Sequence, residues 1–241
     1  MVNRWLITRE QPSPNWDERA LPVSMVVLHY TGMQTGQEAL DRLCDPEAKV
    51  SAHYVIDEDG TVTALVPEEK RAWHAGRSYW RGITDVNSAS VGIELVNPGH
   101  EFGYRPFPEA QMDALLPLLA DIVERHGIDP ANVVGHSDIA PARKEDPGEL
   151  FDWPRLAKLR LALPIPKAKM NLLYDNPGAF YLALERFGYD IADGHAVVRA
   201  FERRWRPNRI EGEIDGQLGG ILFELLLERD MSDRNLLDDG D

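Results

Sequence analysis

Between residues 23 and 163 the chain alternates short apolar runs of strand length with stretches of helical period, and few folds accept that pattern. VSMVVLHYT (23–31) is short and β-branched, and QEALDRLCD (37–45) places Leu40, Leu43 and Cys44 on one helical side. SAHYVIDEDGTVTALV (51–66) makes two strands around an Asp59-Gly60 turn, and SVGIELVN (90–97) is a further strand. FPEAQMDALLPLLADIVERHGI (107–128) is an amphipathic helix that Gly127 ends and Pro117 should kink. NVVGH (132–136) is again a strand, and DWPRLAKLRLAL (152–163) closes the region as a helix. Strands alternating with helices predict an α/β domain, with a mixed central sheet flanked by helices.

At LALPIPKAK (161–169) two prolines interrupt the pattern. This predicts a domain at 1–163, a stiff linker at 164–169 and a small helical domain at 170–241. Three helical stretches, PGAFYLALERFGY, DGHAVVRAFERRW and DGQLGGILFELLLERD, fill that second unit, and DRNLLDDGD is an acidic tail expected to fray. The 241 residues suit one large domain plus a smaller module, and 43% hydrophobic with 27% charged residues suits a globular protein. A formal net charge of −14 argues against nucleic acid as a partner. The single cysteine, Cys44, is expected to be a half-buried apolar residue, and it excludes a disulfide framework within the chain. No stretch approaches the ~20 apolar residues of a membrane helix, and the N-terminus lacks the apolar core of a signal peptide. No membrane insertion is expected, and a cytoplasmic location, or a periplasmic one if an export signal has been removed. The oligomeric state is not legible.

Two strands end on histidines, His29 and His136, where open α/β sheets build their sites. Period-2 alternation puts Val91, Ile93 and Leu95 on one face and Gly92, Glu94 and Val96 on the other, so Glu94 is a carboxylate inside an apolar strand. A hydrolytic zinc site needs three His or Asp/Glu ligands and an open position. His29 and His136 could supply two, with Asp146 or Glu145 as the third. In an extended loop Lys144 and Asp146 would point together, with Arg143 and Glu145 turned outward to solvent.

In order along the chain, VVLHYT, VSAHYVIDEDGTV, RAWHAG, NSASVGIELVN and VVGHSDIAPARKEDPG resemble the zinc-dependent N-acetylmuramoyl-L-alanine amidases of the AmpD and AmiD type. Their superfamily also holds phage lysozyme amidases and the peptidoglycan recognition proteins. The resemblance covers about residues 20–165. AFERRWRP and GEIDGQL resemble a bacterial peptidoglycan-binding three-helix domain, with Leu218 where a threonine is usual.

The resemblance implies Zn2+ held by His29, His136 and Asp146, Glu94 activating water, and Lys144 beside the developing oxyanion. It implies a muropeptide or peptidoglycan substrate cut at the amide between N-acetylmuramic acid and L-alanine. Two alternatives stay open: a peptidoglycan-binding protein without catalysis, and a zinc peptidase acting within the stem peptide. Trp73 and His74 are expected to line the sugar or peptide groove, and Asn87 and Asn97 to hold the muropeptide. His53 is expected to be structural, and His100, His126 and His195 to be surface or capping residues.

Overall fold

In this computed structural model, which describes residues 3–167, 170 and 176–238, two short strands, β1 (Arg9–Glu10) and β2 (Trp16–Glu18), precede β3 (Met25–Tyr30). Helix α1 (Gly36–Cys44) follows, opened by Thr35, whose hydroxyl accepts from the Glu38 amide while Glu38 reaches back to the Thr35 amide. Then come β4 (Tyr54–Ile56), β5 (Val62–Ala64), β6 (Lys70–Ala72), the single turn α2 (Val86–Ala89) and β7 (Ser90–Leu95). Next are the single turn α3 (Gly99–Phe102), the long α4 (Glu109–His126), β8 (Val133–Gly135), α5 (His136–Ile139) and α6 (Trp153–Lys158). Three helices end the chain: α7 (Pro177–Phe187), α8 (Gly194–Trp205) and α9 (Gly216–Asp238).

The main sheet has the order β1-β5-β4-β7-β3-β8 and is mixed. Strand β3 is parallel to both β7 and β8, β4 is parallel to β7, and β4 and β5 form the antiparallel hairpin read from 51–66. Side-chain alternation divides β3 between two layers. Val26 and Leu28 pack with Val91, Ile93 and Leu95 against α4 and α6, while Met25 and Val27 face the other way. On that second face the pairs Met25↔Ser90, Val27↔Gly92 and His29↔Glu94 lie side by side.

Helix α4 runs unbroken through Pro117, because that residue is exposed and the carbonyl its ring leaves without a donor can turn to water. The expected fraying tail begins too early, since α9 continues to Asp238. Residues 168–169 of the expected linker, 171–175 of the expected helical unit and 239–241 of the tail lie outside the described residues. Cys44 is half-buried, as its helical position suggested. Helices α7–α9 share one apolar cluster with β3 and α5, in which Phe180, Phe187, Val198, Phe201 and Leu222 meet Met25, Val27 and Ile139. Among the described residues no helix is long and apolar enough to cross a membrane.

The end of α4 is tied to the sheet by Glu68. Its carboxylate accepts from Tyr54 Oη at 2.6 Å, from Arg125 at 2.7 and 2.8 Å and from His126 Nε2 at 2.6 Å, so His126 is a tie and not a free surface residue. Burial alone would raise this carboxyl, but the hydrogen bonds from Arg125, His126 and Tyr54 outweigh it and hold the pKa at about 2. A depressed folded-state pKa means stability that is present above the ordinary carboxylate range and is lost as pH falls towards 2. On going from pH 6 to pH 3 the wild type should lose about 2 kcal/mol more unfolding free energy than Glu68→Gln, measured by urea unfolding at both pH values. Equal losses would show that the network does not act through the carboxylate's charge.

Candidate metal centre and active site

The parallel pairing of β3 with β7 and β8 brings three chain ends to one edge of the sheet. His29 is the penultimate residue of β3, and its register partner on β7 is Glu94. His136 is not the last residue of a strand, as expected from NVVGH, but the first of α5 immediately after β8. Asp146 follows in the loop beyond, where the Ser137 amide donates to its carbonyl at 2.9 Å and the peptide to Pro147 is cis. Gly148 sits at φ +85°, and a Cβ there would lie 2.3 Å from Tyr104 Oη, so the turn behind Asp146 admits only glycine.

The three side chains converge through one atom each. His29 Nδ1 lies 2.9 Å and His136 Nδ1 3.0 Å from Asp146 Oδ2, and the two nitrogens are 3.0 Å apart. Donors bound tetrahedrally at zinc–ligand distances lie about 3.3 Å from one another, so this cluster is close to that spacing. All three residues are buried. His136 Nε2 donates to the Ala75 carbonyl at 3.1 Å, and a carbonyl only accepts, so a neutral His136 has its Nδ1 lone pair pointing at the carboxylate. Burial, reinforced by His136, lowers His29 to about 4, which leaves the His29 ring neutral. Among the described residues this is the group that could hold a metal.

Around the cluster lies an open cavity of about 670 Å³. Glu94 is on its floor, with Oε2 shielded from solvent and without a hydrogen-bond partner. Burial drives the Glu94 carboxyl well above its usual range, the charge of Asp146 adds to this, and the Lys144 ammonium opposes it. Lys144 lines the same cavity, its amide bonded to the Ala140 carbonyl at 3.1 Å. Arg143 and Glu145 are exposed, as expected, yet both are tied to the protein. Arg143 donates to the carbonyls of Ala75 and Arg77, and Glu145 accepts from Arg203 of α8 at 2.7 Å, because the loop turns at 141–143 and is not extended.

Trp73 lines the cavity, its Nε1 donating to Asp17 at 2.8 Å. His74 borders the cavity, yet both its ring nitrogens bond within the protein, one to His29 and one to Ser90, so it stands behind His29 and does not reach into the groove. Asn87 Oδ1 accepts from the amides of His74 and Ala75, which makes it the support of that segment. Asn97 is fully buried and spends its amide on the Arg105 carbonyl and the Gly99 amide, away from the cavity, so the expectation of a substrate contact fails there. His53 is structural, taking the Gly92 amide on Nδ1. His100 and His195 are exposed, as expected, and His100 also lines the cavity, bonded to Tyr30 Oη at 2.9 Å and stacked on Tyr104.

The profile of the N-acetylmuramoyl-L-alanine amidases, Amidase_2, matches residues 19–149. N-acetylmuramoyl-L-alanine amidase AmiD of Escherichia coli K12 is 36% identical, over 86% of this chain and 83% of that protein. 1,6-Anhydro-N-acetylmuramyl-L-alanine amidase AmpD of Enterobacter cloacae is also 36% identical, over 64% of this chain and 91% of its own length. The solved complex of E. coli AmiD with its substrate anhydro-N-acetylmuramic acid-L-Ala-D-γ-Glu-L-Lys superposes with a TM-score of 0.76 at 36% identity, covering 88% of this chain and 92% of that one. With a mixed sheet, a matching profile and relatives of this extent, the chain belongs to the N-acetylmuramoyl-L-alanine amidase family.

Proposed function

We propose that this enzyme uses zinc to hydrolyse the amide between the lactyl group of N-acetylmuramic acid and the L-alanine of a muropeptide or peptidoglycan stem. The observation that carries this reading is the convergence of His29 Nδ1, His136 Nδ1 and Asp146 Oδ2 beside the unpartnered Glu94 carboxyl. Two imidazoles and one carboxylate suit zinc and leave one position open. Zinc held there supplies a Lewis acid that polarises the scissile carbonyl and makes water more acidic.

The remaining chemistry belongs to the chain. Glu94 takes the proton of the attacking water and returns it to the departing alanine nitrogen. A cation at the donor set lowers the energy of its ionised form, which burial alone disfavours. Lys144, on the cavity wall, faces the oxygen that gains charge as the carbonyl becomes tetrahedral. Trp73 offers an aromatic face to the sugar or stem. The helical unit beyond 164–169 is a companion module seated on the catalytic part through their shared core.

Lys144→Ala should bind zinc as the wild type does and lose on the order of 10²–10³ in kcat/KM, measured on anhydro-muropeptide. A loss under threefold would remove Lys144 from the mechanism. The reading as a whole is tested by product masses from anhydro-muropeptide and from intact sacculi, with and without a chelator. Free stem peptide beginning with L-alanine, released only when metal is present, is the expected result. A cut inside the stem would mark a peptidase, and tight binding without release would mark a binding protein.

A further inference from the structure

We propose that Ser90 and His74 are positioning residues that lock His29 in its Nε2–H tautomer, so that its Nδ1 lone pair is what the metal meets. The inference rests on the zinc reading above and adds two residues that touch neither metal nor substrate in it.

The proton count runs along one line of hydrogen bonds. Ser90 Oγ lies 2.5 Å from the Val86 carbonyl oxygen, which can only accept, so the hydroxyl proton is spent there. Ser90 Oγ therefore presents a lone pair to His74 Nε2 at 3.2 Å, and that nitrogen is the one bearing hydrogen. His74 is buried, and a buried imidazole without a carboxylate partner carries a single hydrogen, so with Nε2 bearing it Nδ1 is bare. Nδ1 of His74 then accepts from His29 Nε2 at 3.0 Å, and the proton of neutral His29 is on Nε2. His136 reaches the same state by a shorter route, through the Ala75 carbonyl.

Steric placement supports the assignment independently. Ser90, Gly92 and Glu94 share one face of β7, and the His74 ring lies on the bare patch at Gly92, where a Cβ would come within 2.4 Å of its Cγ. Glycine at 92 thus creates the room in which His74 can bridge Ser90 and His29. Without the Ser90 acceptor, His74 can adopt its other tautomer and donate from Nδ1. His29 would then have to accept on Nε2 and carry its hydrogen on Nδ1, where the metal should be.

Two measurements decide this. Nitrogen-15 spectra of the imidazoles in the metal-free wild type, at mildly alkaline pH, should show hydrogen-bearing Nε2 and bare Nδ1 on both His29 and His74. A hydrogen-bearing Nδ1 on either overturns the proposal. In competition with a chelator, Ser90→Ala should bind zinc about 10–100-fold more weakly than the wild type, with affinity recovered in Ser90→Thr. Affinity within twofold of the wild type overturns it. Should Ser90→Ala not fold, the wild-type spectrum decides alone. A wild type that binds no zinc would defeat the functional reading while leaving the tautomer assignment to that same spectrum.

Discussion

Glu94→Gln is expected to keep a full complement of zinc and to lose on the order of 10²–10⁴ in turnover on anhydro-muropeptide. Gln has nearly the shape of Glu, remains polar on the cavity floor and leaves the β7 register with β3 undisturbed. It cannot accept a proton from water or hand one to the leaving nitrogen. Because Glu94 Oε2 has no partner among the described residues, the substitution breaks no hydrogen bond seen there, and melting temperatures should stay close to the wild type. Steady-state kinetics beside metal analysis on the same preparation check this. Turnover within tenfold of the wild type would mean that some other group accepts the proton.

Much of this centre can be found in the sequence because its chemistry departs from the local pattern. An apolar strand that ends on histidine, or holds a carboxylate among Val, Ile and Leu, is costly unless something compensates, and His29 and Glu94 were visible for that reason. Alternation along β7 also places Glu94 on the face opposite Val91, Ile93 and Leu95, as the structure has it. What the pattern could not contain is pairing between distant segments. Arg143 is an ordinary charge in a charged loop until the carbonyls of Ala75 and Arg77 come to lie beneath it. Ser90 gives no signal, since its part depends on the Val86 carbonyl one turn before it and on His74 arriving from another loop. Asn97 shows the converse error, because a polar residue near the end of a catalytic strand also serves to tie backbone, and here it does only that. The same holds for the C-terminal helices. Their periodicity was readable, but not that Arg203 would reach Glu145 or that Tyr189 Oη would donate to Asp138, two residues past His136.

Asp146→Ala should separate the metal's contributions to stability and to catalysis. Asp146 Oδ2 lies within hydrogen-bond distance of both imidazole nitrogens, and it brings the negative charge to the His29, His136 and Asp146 donor set. Without it two neutral nitrogens remain, and zinc affinity should fall by more than the 10–100-fold typical of losing a supporting hydrogen bond. Hydrolysis should fall to background with it. Stability should respond differently with and without metal. Zinc bound only to the folded state adds about 2.7 kcal/mol at a hundredfold excess over Kd, so zinc should raise the wild-type melting temperature and leave that of the variant unmoved. In the metal-free state the variant loses both the desolvation that the buried carboxylate suffers and the contacts with His136 and His29 that favour it, and these opposed effects should leave it melting close to the metal-free wild type. Calorimetric scans of both proteins, with chelator and with excess zinc, give the four values required. If the metal-free variant melts well below the metal-free wild type, Asp146 holds the loop by contacts of its own, and its place in the structure is not that of a ligand alone.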